Sequence, residues 1–236
     1  MMINTLKSWS NNLLHFLYPH LCAGCGNDLT DEQQSICFQC YTSLPETGFA
    51  NHKGNPIEKI FYGRLDVEEA MSSYYFTKTS ALQNMIHALK YRNNQAAGIQ
   101  LGKWMGIQLI KSNRFKEIDY LIPMPMYPEK EKKRGYNQAT VLCRGISEAT
   151  GIPVHENIVA RNRYTDTQTR KGRNERWINV DGSFAINLNS GALDRHFLLV
   201  DDVITTGATL EACGAAIKEI PTSRLSIATL AWASDD

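Results

Sequence analysis

HFLLVDDVITTGATLEACGAAIKEI, residues 196–220, decides the architecture. Phe197, Leu198, Leu199 and Val200 form a short continuous apolar run, the pattern of a strand buried on both faces. Asp201 and Asp202 follow at its carboxyl end, then a turn over residues 205–209, then an amphipathic helix from about Thr209 to Ile220. A strand running through a turn into a helix is half of a βαβ unit. In open sheets built from such units, ligands bind outside the carboxyl ends of the strands, which is where the acids and the turn fall.

The residue types in that turn suit a sugar phosphate. A phosphate needs converging donors. The amides of Thr206, Gly207, Ala208 and Thr209 at a helix N-terminus provide them, joined by the hydroxyls of Thr205, Thr206 and Thr209. Gly207 permits close backbone approach. Hydrogen bonds to a charged group contribute about 1.5–3 kcal/mol each and the helix end adds about 0.3–1 kcal/mol. A phosphate is therefore held without the lysine that a P-loop requires. Adjacent carboxylates beside a phosphate need other partners: ribose hydroxyls are suitable donors, and magnesium bridging sugar and diphosphate is a suitable counter-ion. Capping alone explains one aspartate and one threonine, not the whole set.

Outward from this segment, AMSSYYFT reads as a strand, ALQNMIHALKYR and GIQLGKWMGIQLIKS as helices, and YLIPMPM as a short apolar strand. The charged stretch EKEKKRGYNQ leads to the helix ATVLCRGISEATG and a short strand around residues 154–159, and LSIATLAWA closes the chain as a strand. Residues 161–182 are polar and without a period, and a loop of that length inside a compact domain is functional or mobile. Cys143 and Cys213 stand alone in helical patterns and read as packing residues. Strands alternating with helices predict an α/β fold with a doubly wound, mainly parallel sheet.

Residues 22–55 have no sustained period and cannot build a core by themselves. CAGC, an eleven-residue spacer and CFQC supply a remedy: Cys22, Cys25, Cys37 and Cys40 form two chelating pairs that close a tetrahedron around zinc. Structural zinc contributes roughly 10–16 kcal/mol at neutral pH, against a limit of about 40 residues for metal-free folding. Disulfides or a redox CxxC are the alternative chemistry, opposed by a reducing compartment, and His20 is the alternative ligand. Upstream, Ile3, Leu6, Trp9, Leu13, Phe16 and Leu17 recur at helical spacing, an amphipathic helix ending before Pro19. The expected division is this helix plus a zinc-ribbon module over residues 1–58, then the larger α/β domain over 59–236.

Charge is balanced, 25 Lys+Arg against 24 Asp+Glu, so no broad field draws the chain to nucleic acid or an acidic membrane, and any polyanion site must be local. Asn11 and Asn12 interrupt the N-terminal apolar run and no small-residue cleavage site follows, which argues against export. No apolar stretch approaches the ~20 residues that span a bilayer. A soluble cytoplasmic protein without membrane insertion is expected, with oligomeric state, homo-oligomers included, left open.

VDDVITTGAT resembles the ribosyl-diphosphate motif of type I phosphoribosyltransferases. Together with the cysteine quartet, and with LYPHLCAGCG, ALKYR, IPMPMYPEKEKKRGYNQA and TDTQTRKGRNERWINVDGSF in that order, the chain resembles the ComF family of competence-associated proteins. The resemblance implies a zinc-binding N-terminus joined to a phosphoribosyltransferase-like fold, with a link to DNA uptake. It makes the segment after YLIPMPM the diphosphate loop. There Arg134, with Gly135, Asn137 and Gln138, matches, whereas Lys130 and Lys132 stand where family members tend to carry arginine, keeping the charge but losing the bidentate fork. It also implies a lid carrying Thr165, Gln168, Glu175, Arg176 and Asn179, with Lys171 where an apolar residue is common. Lys90 and Arg92 of ALKYR either face the same cleft or snorkel from a helix end.

Two functions follow as expectations. The first is an enzyme that binds 5-phosphoribosyl diphosphate with magnesium and transfers phosphoribose to a nitrogen nucleophile. Asp201 and Asp202 would hold the ribose and its metal, residues 205–209 the 5-phosphate, and Arg134 with Lys132 the diphosphate. The second is a non-catalytic module contacting single-stranded DNA or a competence helicase through the zinc ribbon and basic loop, with Trp9, Tyr18, Phe38 and Tyr41 available to stack on bases.

Overall fold

The computed structural model describes residues 19–31, 34–161, 177–180 (backbone only), 183–187 and 193–234. Their elements, in chain order, begin with the short helix α1 (Phe38–Thr42), a 3-10 turn (Phe49–Asn51) and α2 (Pro56–Phe61). Then come β1 (Ala70–Tyr75), α3 (Ala81–Tyr91), α4 (Gln95–Lys111), β2 (Tyr120–Pro123), α5 (Pro128–Arg134) and α6 (Gln138–Thr150). The chain continues through β3 (Val159–Arg161), β4 (Trp177–Val180), β5 (Phe184–Asn187), β6 (His196–Ile204), α7 (Ala208–Lys218) and β7 (Arg224–Trp232). The N-terminal amphipathic helix expected over residues 3–17 lies outside the described residues.

The four apolar runs become one parallel sheet, ordered β1-β7-β6-β2. Leu199 of β6 faces Ile227 of β7 on one side and Ile122 of β2 on the other. Beyond β2 the edge gains a single parallel bridge, Leu121 to Val154. The central strands are buried without alternation, residues 196–200 in β6 and 225–231 in β7, so both faces of the sheet are covered, as a doubly wound fold requires. Cover on one part of the sheet is tight because glycines allow it. A Cβ on Gly102 of α4 would stand 2.2 Å from the Leu142 carbonyl oxygen of α6, and one on Gly145 would stand 2.1 Å from that of Ile99.

Three readings of the sequence are corrected. Residues 161–182 are not one long loop, because β4 occupies 177–180 and pairs antiparallel with β5. β3 pairs with the other edge of β5, giving a second sheet of order β3-β5-β4 that the apolar pattern does not announce. The charged stretch is a helix, α5, started by Pro128 in its first turn and stopped by Gly135 in the left-handed conformation at φ 89°. It buries no residue, so no apolar period marks it.

The cysteine segment is fastened to the sheet domain at several points. Asn84 of α3 donates to the Gly24 carbonyl at 2.8 Å, and the Tyr41 and Trp104 rings sit 4.3 Å apart. Asn55 caps α2 with its side-chain oxygen and donates through Nδ2 to the Ala70 carbonyl at 2.8 Å. Arg114 ion-pairs with Glu58 and Glu69 at once and donates to the His52 carbonyl at 2.6 Å. All three ionic side chains are largely out of solvent.

Candidate functional site

An open cavity of about 320 Å³ lies at the carboxyl ends of β2 and β6. Six elements converge on it: the end of α3, the loop after β2, α5, the start of α6, the end of β3, and the β6–α7 turn. Arg134, Asp201, Asp202, Thr205, Thr206, Gly207, Ala208 and Thr209 all line it.

β6 runs on to Ile204, so both aspartates sit on the strand itself and not past its end. Oδ1 of Asp201 accepts the Asp202 amide at 2.8 Å. Burial, then the charge of Asp202, push the Asp201 carboxyl up to about 7, against the opposing pull of that amide, Lys90 and Arg161. Asp202 is paired instead, with Lys90 Nζ 2.7 Å from its Oδ2. The site thus holds one acid raised toward neutral pH beside a second acid paired with a lysine.

The turn has the shape of an anion cradle. Gly207 caps α7 at φ +77°, and a Cβ there would meet Ile60 of α2 at 2.6 Å, so both conformation and space exclude a side chain. The first amide to bond into the helix is that of Glu211, to the Gly207 carbonyl at 2.8 Å. Those of Ala208, Thr209 and Leu210 stand outside the ladder, as at every helix start, and the Thr206 hydroxyl meets that of Ala208 at 3.5 Å. Thr205, Thr206, Ala208 and Thr209 are exposed, facing open space and not packed protein.

On the opposite side Arg134, last residue of α5, bonds the Gln138 side chain and lies over the Tyr91 ring, 5.5 Å from its centroid. Asn137 fixes that corner: its Oδ1 caps α6 at the Ala139 amide, and its Nδ2 donates to the Met124 carbonyl in the loop after β2. Lys132 does not line the cavity, whereas Lys130 does. The helix explains this: Lys130 and Arg134 are four residues apart and share a face, while Lys132 falls about 200° round from Lys130. Of the lid, Thr165, Gln168, Lys171, Glu175 and Arg176 lie outside the described residues, and Asn179 is placed in β4, opposite Ala185.

One cavity residue escapes the sequence reading, and one is read only as an alternative. Arg161 ends β3 with its guanidinium 4.1 Å from the Tyr127 ring centroid and 5.5 Å from that of Phe184. Its buried Nε has no hydrogen-bond partner among the described residues. No motif offset marks it, since its place depends on β3 pairing with β5. Lys90 is the second, legible only as one of two readings of ALKYR. Arg92 is not among the cavity residues.

The four cysteines gather at the other end of α3. Their ligand atoms lie within 4.8 Å of one another, and Cys25 and Cys37 Sγ are 3.8 Å apart. A tetrahedral ion with metal–sulfur bonds of 2.3 Å needs sulfur–sulfur edges of about 3.8 Å. Amides already face the sulfurs: those of Gly24 and Cys37 donate to Cys22 Sγ at 3.4 and 3.2 Å, and that of Cys40 to Cys37 Sγ at 3.4 Å. Burial pushes the Cys22 thiol up, but the amides of Cys25, Cys37 and Gly24 outweigh it and bring it down to about 6. Burial, then the sulfurs of Cys37, Cys25 and Cys22, push Cys40 up, the expected cost of crowding thiols without a cation. The donor set fits a four-thiolate metal centre. His20 is no part of it, its Nε2 lying 2.5 Å from the Gln34 carbonyl oxygen. Cys143 and Cys213 are fully buried, their thiols raised by burial, as packing residues are.

No family model matches the chain. It is 27% identical over 225 residues to Competence protein F of Haemophilus influenzae, covering 93% of each chain. It is 31% identical over 99 residues to Competence protein ComFC of Bacillus subtilis, covering 42% of this chain and 38% of that one. Among solved structures it is similar to adenine phosphoribosyltransferase from Saccharomyces cerevisiae, 14% identical, covering 73% of this chain and 87% of that one at a TM-score of 0.37. Nearly full-length similarity to one competence protein, a second relative carrying the ComF name, and a four-cysteine cluster beside a parallel sheet make this chain similar to the ComF family of competence-associated proteins.

Proposed function

We propose that the chain is a cytoplasmic phosphoribosyltransferase serving DNA uptake or use, which binds 5-phosphoribosyl diphosphate with magnesium and transfers phosphoribose to a nitrogen nucleophile. The reading is carried by one observation: an acid pair, a helix-start cradle whose first amides lie outside the helix ladder, and Arg134 line a single cavity at the carboxyl ends of parallel strands. The amides and hydroxyls of residues 205–209 hold the 5-phosphate. Asp201 and Asp202 accept the ribose hydroxyls and supply hard oxygen ligands to magnesium, whose part is to neutralise charge on the diphosphate. Arg134 stabilises the diphosphate as it departs and gains charge. Lys132, on the far side of α5, is replaced in this role by Lys130. Residues up to about 58 form the metal module, with zinc on Cys22, Cys25, Cys37 and Cys40 as a closed structural site.

A second reading is supported by Phe38, which stands 77% exposed on α1 beside the thiolate cluster, with Tyr41 partly exposed next to it. Such rings offer stacking surfaces to single-stranded DNA. Trp9 and Tyr18 lie outside the described residues. Diphosphate release measured across a panel of nucleobases and amines, alongside titration of labelled single-stranded DNA at several salt concentrations, tests the choice. Release confined to one acceptor supports the enzyme. Sugar binding without release, with DNA affinity falling steeply as salt rises, supports the module.

A further inference from the structure

Lys90 occupies a position unlike that of a solvated lysine. It lines the cavity one residue before the end of α3, its side chain is only 24% exposed, and Asp202 is its ion-pair partner among the described residues. The helix end that carries it is fastened by Tyr136, which donates its hydroxyl to the Leu89 carbonyl. Tyr136 lies in the turn directly after Arg134, and Arg134 in turn covers Tyr91, the neighbour of Lys90. The end of α3 that carries Lys90 and the turn that carries Arg134 are thereby fastened together at the cavity wall.

An ammonium carries three donors, and Asp202 takes one. The carboxylate has two oxygens and about four lone-pair sites, so Oδ1 of Asp202 remains open to sugar hydroxyls while Lys90 stays on Oδ2. Two N–H groups of Lys90 are then left for a ligand in the cavity. A bound sugar with its 5-phosphate in the cradle and its hydroxyls on the acids directs the substituent at its anomeric carbon toward these cations.

We propose that Lys90 is a ligand-contacting residue that orients Asp202 with one N–H and donates the others to the diphosphate, beside Arg134. The inference rests on the phosphoribosyl reading above and deepens it. It makes Lys90 a determinant of selectivity for a sugar bearing a diphosphate over one bearing a 5-phosphate alone.

Calorimetry on the full chain tests this, with 5-phosphoribosyl diphosphate plus magnesium and with ribose 5-phosphate as separate ligands. Each is titrated into the wild type, Lys90→Met and Lys90→Arg, with a thermal melt of each variant to confirm folding. Lys90→Met is expected to bind the diphosphate ligand roughly 10- to 100-fold more weakly, the loss of charged hydrogen bonds, and ribose 5-phosphate within about threefold of wild type. Lys90→Arg, which keeps the charge, is expected to retain most of the affinity. Equal loss of both ligands in Lys90→Met makes Lys90 a prop for Asp202 only and overturns the proposal, as does unchanged binding of the diphosphate ligand. A wild type that binds neither sugar overturns the phosphoribosyl reading itself, and this inference with it.

Discussion

Gly207 and Asp201 show how single positions set the site's chemistry. At Gly207 the left-handed φ of +77° and the 2.6 Å approach of Ile60 act together. Gly207→Ala is expected to lower stability by about 1–3 kcal/mol, measured by denaturant unfolding, and to weaken phosphate-bearing ligands by displacing the cradle amides. Asp201 acts in the opposite sense. Its folded-state value of about 7 lies above its ordinary value of 3.8, so the folded chain resists its ionisation. A raised acid favours the folded state only below its unfolded value, and that advantage is lost as pH rises toward the folded value. Asp201→Asn is therefore expected to melt higher than wild type at neutral and alkaline pH. The difference should open between about pH 4 and pH 7 and stay level above it, read from melts across that range. A difference that is constant with pH would show that burial does not act on this carboxyl. The identity of both residues was legible in VDDVITTGAT, because strand, acids and turn follow one another in the chain.

Elements were legible where they carry an apolar signature and hidden where they do not. β1, β2 and β7 are mostly apolar and α3, α4 and α6 carry buried faces, so the sequence marks each close to its observed span, whereas the apolar run of β6 marks only residues 197–200 of a strand that continues to Ile204. α5 has no buried residue, and only Pro128 and Gly135 mark its limits. That omission is why Lys132 was read as a ligand residue: choosing between it and Lys130 requires knowing the segment is helical. β3, β4 and β5 are three or four residues long, too short for a local period to mark, and β3 depends further on pairing with β5 from a separate stretch of sequence. Arg161 could not be placed without them. Helix contact also depends on what is missing from a side chain. Gly145→Ala would drive a methyl group into the Ile99 carbonyl of α4 and is expected to cost about 1–3 kcal/mol. Gly135→Ala, at a site with nothing within 4 Å, isolates the cost of the left-handed conformation alone, about 1 kcal/mol. Comparing the two in denaturant separates crowding from backbone strain.

At the scale of the molecule, the cysteine segment and the sheet domain share side chains that sequence reading treated as separate. Arg114 follows α4, yet it binds Glu58 from α2 and Glu69 just before β1. Arg114→Met leaves two largely buried carboxylates unpaired and is expected to destabilise the fold by about 3–5 kcal/mol, measured by urea unfolding; a loss under 1 kcal/mol would mean the cluster is solvated. Helix α3 spans the same junction from the other side, with Asn84 on the Gly24 knuckle and Lys90 on Asp202. The thiolate cluster and the cavity therefore occupy opposite ends of one helix, an arrangement that motif spacing gives no hint of. The proposed occupant of the cavity is 5-phosphoribosyl diphosphate. Calorimetry of the wild type and Asp202→Asn with 5-phosphoribosyl diphosphate and magnesium tests it most directly. A single site per chain, with affinity at least tenfold weaker in the variant, is the result predicted here. No heat of binding at millimolar ligand, or equal affinity in both proteins, would contradict it.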